Sequence, residues 1–240
     1  MNKELYAQYI KNNLSQDAAW EAFVDGLNIL SEEEIKTIIK DRQSAIDKYF
    51  LGDESPDTTV KVKTMEDSDF PKWKGLDWCP LVIEYVGDWP KFTKDTAIIF
   101  IDDSSFIEKL LPVIRKYDAI LCTVINREDN LTSLTFYTPH LEKAAEGLPY
   151  VVADECHMFC REEDAITIGY ALCSGCVAAN GSYAQGERVR APYRYAIPGR
   201  CGCITNRLIK NGWHLCDSVR DVQEMIEAII GNKNIKDWSE

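Results

Sequence analysis

The sequence predicts an α/β protein: a mostly parallel sheet with helices on both faces, preceded by an N-terminal helical segment. Two continuous apolar runs, TAIIFID (96–102) and DAILCTVIN (118–126), suit strands buried on both sides. Between them SFIEKLLPVIRKY (105–117) is amphipathic at helical spacing, so the three segments form a right-handed strand–helix–strand unit. Strand-like and helix-like segments then alternate to the end of the chain, the pattern of a layered α/β domain.

Each element has its own signal. Residues 2–50 read as helical: Trp20, Phe23, Val24, Leu27 and Leu30 recur at i, i+3, i+4, i+7, and Ser31 with Glu34 forms a capping-box pattern ahead of Ile35, Ile38 and Ile39. The acidic, turn-rich LGDESPDTT (51–59) reads as a linker between a helical segment, 1–52, and a larger domain, 60–240. VKVKTM (60–65) and LVIEYVG (81–87) read as strands. Pro112 is placed to kink or interrupt the helix of 105–117. PHLEKAAEGL (139–148) reads as a helix, PYVVAD (149–154) as a strand and AITIGYAL (165–172) as a helix. YRYAIPG (193–199) is a strand stopped by Pro-Gly, TNRLIKNG (205–212) a short helix with Gly212 at C′, WHLC (213–216) a last strand and DSVRDVQEMIEAII (217–230) a capped helix.

Composition narrows the function classes. No apolar run is long enough to span a membrane, and the polar start MNKELYAQYIKNN lacks the apolar core of a secretion signal, so a cytoplasmic setting is expected. Nine cysteines, an odd number, argue against a disulfide framework. The net charge of −12 argues against broad nucleic-acid binding, but the charge is uneven. Residues 1–60 carry a net −6, whereas 181–215 carry Arg188, Arg190, Arg194, Arg200, Arg207 and Lys210 against Glu187 alone, a net +5. An anionic partner near the end of the chain is the expectation.

The block YAIPGRCGCITNRLIKNGWHLCDSVRDVQEMI (195–226) resembles the end of the Rossmann-like domain in the DprA/Smf DNA-processing family, at Ala196, Ile197, Pro198, Gly199, Asn206, Leu208, Ile209, Gly212, Leu215, Asp217, Ser218 and Val222. FPKWKGLDWCPLVIEYVGD (70–88) is similar to the family's entry segment, and FCREEDAITIGYALCSG (159–175) to its Phe-x-x-Arg-Asn stretch, with Arg161 at the arginine position. The resemblance covers roughly half of the chain. It implies a Rossmann-like sheet, binding of single-stranded DNA without catalysis, and loading of a recombinase during DNA uptake. The chain departs from the family where glycine-rich turns would approach phosphate: the first strand runs into IDDSS (101–105) and the second into VINREDNLTS (124–133). The winged-helix domain that often follows in the family is not expected here either, since the sequence stops at Glu240.

The expected nucleic-acid-binding residues are Arg161, Arg188, Arg190, Arg194, Gly199, Arg200, Asn206, Arg207 and Lys210, with Tyr183, Tyr193 and Tyr195 interleaved as base-stacking candidates or, equally, strand and core residues. Cys173-x-x-Cys176 and Cys201-x-Cys203, with His157 as a spare ligand, have the makings of a zinc or iron–sulfur site, although unligated thiols are the simpler expectation. His214 reads as structural. Asp102 and Asp103 read as a helix N-cap or a Mg²⁺ site at a strand end, with Asp154 and Glu155 as a second acidic strand end. No histidine lies near a nucleophile motif, so no catalytic residue is assigned. An enzyme or sensor acting on a nucleotide-like small molecule is the alternative, and an interaction protein or homodimer the third reading.

Overall fold

The computed structural model describes residues 2–25, 29–50, 58–68, 80–91, 96–126, 131–139, 153–179 and 191–236. The chain divides into two compact units, each assembled from separate stretches: residues 1–87, 126–133 and 157–165 form one, and residues 88–125, 134–156 and 166–240 the other.

In the first unit α1 (Lys3–Lys11), α2 (Gln16–Val24) and α3 (Glu32–Tyr49) precede the antiparallel pair β1 (Lys61–Thr64) and β2 (Val82–Gly87). The α3 capping box forms as the Ser31/Glu34 pattern requires, with both reciprocal bonds present. Helix α2 departs from its periodic stripe. It buries Gln16 and Ala19, while Trp20 and Val24 are 40% and 56% exposed. The reason is polar: the Gln16 amide donates to Val82 O and accepts from Leu81 N and Val82 N, so it satisfies backbone groups that packing alone would leave unpaired. Leu5, Tyr6, Tyr9, Ala19 and Val82 form one apolar cluster, and Ile46, Tyr49, Phe50, Val86, Leu131 and Phe159 another.

In the second unit β3 (Ile98–Ile101), a 3-10 turn (Ser104–Phe106), α4 (Ile107–Lys116) and β4 (Ile120–Asn126) form the strand–helix–strand unit, with β3 and β4 parallel. Helix α4 runs through Pro112 as one helix, with the proline exposed. Further along are β5 (Thr132–Pro139), β6 (Ala153–Phe159), α5 (Glu162–Leu172), β7 (Gly175–Ala178), β8 (Tyr193–Ala196), α6 (Ile204–Lys210), β9 (His214–Leu215) and α7 (Val219–Lys236). Strand β7 pairs with β3 and β8, and β8 with β9, all parallel. Ile99, Ile101 and Val177 on one side of these strands meet Leu110 and Ile114 of α4 and Val222, Met225 and Ile226 of α7. Phe100, of opposite pleat, packs on Tyr170 of α5 at 4.6 Å between ring centres.

The expectation of a mostly parallel Rossmann-like sheet with helices on both faces is corrected. The strands form a nine-stranded mixed sheet in the order β1-β2-β6-β5-β4-β3-β7-β8-β9. The β1–β2 pair is antiparallel. Strands β4 and β5 are neighbours in the sheet and only five residues apart in sequence, too few for the crossover that a parallel pair needs. Strand β7, GCVA, is too short to carry a periodic signal, and strand β5, TSLTFYTP, is rich in threonine, phenylalanine and tyrosine, which suit a strand but say nothing of its neighbours. The helix expected at 139–148 lies outside the described residues.

Candidate nucleic-acid interface

Strand β8 leaves the sheet through Pro198-Gly199 and turns into α6. A Cβ at Gly199 would stand 2.6 Å from Cys203 Sγ, so this position admits no side chain without rearrangement. Gly202, at φ +85°, supplies the left-handed turn that lets Cys203 N–H donate to Arg200 O at 3.0 Å. Asn206 brackets the same turn: its amide donates to Gly199 O and Arg200 O, and its oxygen accepts from Gly199 N–H. Helix α6 ends as the sequence predicts, with Gly212 N–H donating to Ile209 O and Trp213 N–H to Leu208 O around a left-handed Gly212. Gly199 and Asn206 therefore shape the turn, whatever they touch outside the chain.

The turn and helix present charge. Arg200, Arg207 and Lys210 are exposed, the last two one helical turn apart on α6. Arg194 on β8 lies over the Trp213 ring at 6.0 Å from its centre. Among the described residues none of these four cations is paired with a carboxylate. Arg188 and Arg190 lie outside the described residues, as does Tyr183. Arg161 belongs to the first unit and is engaged internally: it bonds Asp164 at 2.9 Å and pairs with Glu163 at 3.1 Å. Tyr193 and Tyr195 are packing residues. The Tyr193 hydroxyl donates to Ala228 O, and Tyr195 stacks on His214 at 5.1 Å.

At the ends of the parallel strands, β3 leads to β4 on one side while β7 lies on the other, the arrangement in which open α/β sheets hold ligands. Here the buried Asp102 carboxylate, just past the end of β3, accepts Ala179 N–H at 2.5 Å, and Asp103 accepts Ser105 N–H as a local cap. A cavity of about 200 Å³ nearby, lined mostly by apolar residues such as Ile101, Phe106, Val177 and Val222 but also by Lys109, Asp217 and Ser218, is below the usual size for a small-molecule site, roughly 300 Å³ and up. Asp154 and Glu155 stand at the start of β6, the opposite end from the one expected.

No group of three or more potential metal ligands occurs among the described residues. Cys173 closes α5, with its thiol directed to Tyr170 O, while Cys176 lies within β7; burial pushes both thiols well up. Burial likewise raises Cys122, and pushes Cys216 up to about 11. Cys203 behaves oppositely: hydrogen bonds from Thr205 side chain and backbone hold it below the ordinary thiol value. His157 is a buried ring between Tyr49 and Phe50.

The first unit holds a constellation that the sequence reading did not reach. Glu84, fully buried in β2, accepts the Tyr6 hydroxyl at 2.5 Å and both Nε and Nη2 of Arg42, the latter at 2.6 Å. Burial, then the Glu84 charge, pushes the Tyr6 phenol far up. Burial alone would lower Arg42, but Glu84 outweighs it and holds the guanidinium charged. Beside this network is an open cavity of about 720 Å³, bordered by Leu14, Asp41, Arg42, Lys48, Cys160 and Arg161 among others. Its two arginines are both tied to carboxylates of the same unit, and Asp41 and Glu162 offset what charge remains. The available signal was one glutamate in an apolar strand, LVIEYVG.

No described helix is long and apolar enough to cross a membrane. Comparisons with protein-family models, with curated proteins and with solved structures gave no match.

Proposed function

We propose that the chain is a divergent DprA-like DNA-processing protein, and that the β8–α6 segment of its second unit holds the phosphates of single-stranded DNA without catalysis. The observation that supports this reading is the cation set Arg194, Arg200, Arg207 and Lys210, collected within one strand–turn–helix segment and paired with no carboxylate among the described residues. Guanidinium and ammonium groups left to water bind phosphate oxygens through charge-assisted hydrogen bonds. Gly199 and Asn206 act by fixing the turn that carries Arg200. The glycine-rich phosphate cradle of the family is replaced here by the internal Asp102 carboxylate, so contact is made by side chains and depends on salt. The same reading includes a recombinase-type protein partner and a cytoplasmic setting.

Fluorescence anisotropy with a labelled single-stranded oligonucleotide tests it. Four phosphate contacts give a log–log salt slope of about −3, so raising salt from about 50 to about 200 mM weakens binding roughly fifty-fold. Absence of binding at low salt, or binding indifferent to salt, overturns the proposal.

A further inference from the structure

Of the eight cysteines described, six are buried and two reach solvent, and those two are neighbours: Cys201 is exposed, Cys203 half-buried, with only Gly202 between them. Residues two apart lie within about 7 Å at Cα, and a left-handed glycine between them tightens that separation toward the range a disulfide spans. Nothing lies within 4 Å of a Cβ built on Gly202, so the outer side of the turn is open for a soluble oxidant to approach. The Cys203 thiol shares a hydrogen bond with Thr205 Oγ1 at 3.1 Å. The remaining buried thiols are shielded from any soluble oxidant, so reactivity is concentrated at this turn.

We propose that Cys201 and Cys203 are a redox-active dithiol, oxidised by a small-molecule disulfide such as glutathione disulfide to an intramolecular disulfide across Gly202. Cys203, as thiolate, attacks one sulfur of the oxidant, forming a mixed disulfide and expelling one glutathione thiolate. Cys201 then loses its proton and attacks the Cys203 sulfur, expelling the second. Two protein thiols become one disulfide while one glutathione disulfide becomes two glutathione thiols. Because Arg200 O receives both Cys203 N–H and the Asn206 amide, the bridge forms on the turn that presents Arg200.

The experiment uses the whole chain in glutathione buffers of graded ratio, quenched by acid, alkylated under denaturing conditions and digested with trypsin. Cleavage after Arg200 and Arg207 isolates both cysteines on one peptide, 201–207. The expected result is that, as the ratio becomes oxidising, this peptide loses two hydrogens and resists alkylation, while Cys122 and Cys176 stay alkylatable. Cys201→Ser should stop at a glutathione adduct on Cys203. Full alkylation of 201–207 in the oxidising buffer, a lasting glutathione adduct on the wild-type peptide, or a bridge from Cys203 to another cysteine each overturns the proposal.

Discussion

The two units spend their arginines differently. In the first, Arg42 is sunk beside Glu84 with its side chain only 10% exposed, and Arg161 is clasped by Asp164 and Glu163. In the second, Arg200, Arg207 and Lys210 stand in water without a carboxylate among the described residues. The second unit does hold one exposed pair, Arg220–Glu224 at 2.8 Å on α7. Its Asp102, Asp103 and Asp221 accept backbone N–H groups, so these three cap strand ends and helix starts instead of neutralising Arg200, Arg207 or Lys210. An arginine count therefore says little about binding until the carboxylates have been assigned.

The sharpest way to break this comparison is to remove Arg42. Arg42→Met leaves the buried Glu84 carboxyl with only the Tyr6 hydroxyl as partner, which should cost about 3–5 kcal/mol of unfolding free energy in chemical denaturation. Adding Glu84→Leu should restore much of that loss. A loss below about 1 kcal/mol for the single variant shows that the pair is not the internal clamp described.

The reciprocal test charges the other unit. Arg207→Glu with Lys210→Glu should weaken oligonucleotide binding by about ten-fold or more and flatten the salt slope by roughly 1–2, with thermal unfolding little changed because both side chains are exposed. Arg161→Gln in the first unit should leave binding as it was. Equal losses from both would erase the distinction between the units.

Asn206→Ala separates turn-building from contact. Losing three bonds to Gly199 and Arg200 backbone should lower stability by about 1–2 kcal/mol, with the damage to binding smaller than that of the charge reversal. The smallest effect concerns Asp221. Burial nudges its carboxyl upward, but hydrogen bonds from the Ser218 hydroxyl and the Asp217 and Ser218 N–H groups hold it below its ordinary 3.8. A lowered folded-state pKa stabilises above the ordinary value and is lost as pH falls through the folded value. Asp221→Asn should therefore cost about 1 kcal/mol near neutrality, and the gap from wild type should close below about pH 4. A gap that widens in acid contradicts the cap.

Much of the local structure was legible from residues alone. The Ser31/Glu34 box, the apolar β3 and β4 runs, and the Gly212 terminus of α6 obey short-range rules whose partners lie within a few positions. The late basic segment was equally visible, since charge is written in composition. Strand pairing was not: TSLTFYTP became β5 beside β4, and the sheet turned out mixed, because register and direction depend on which distant strand is available as a neighbour. Arg161 differs from Arg207 already in sequence, since Glu163 and Asp164 stand two and three places after it. The Arg42–Glu84 pair could not be read that way: only folding brings a glutamate from a distant strand to 2.6 Å from that guanidinium, because such an ion pair depends on distances that the order of residues does not contain.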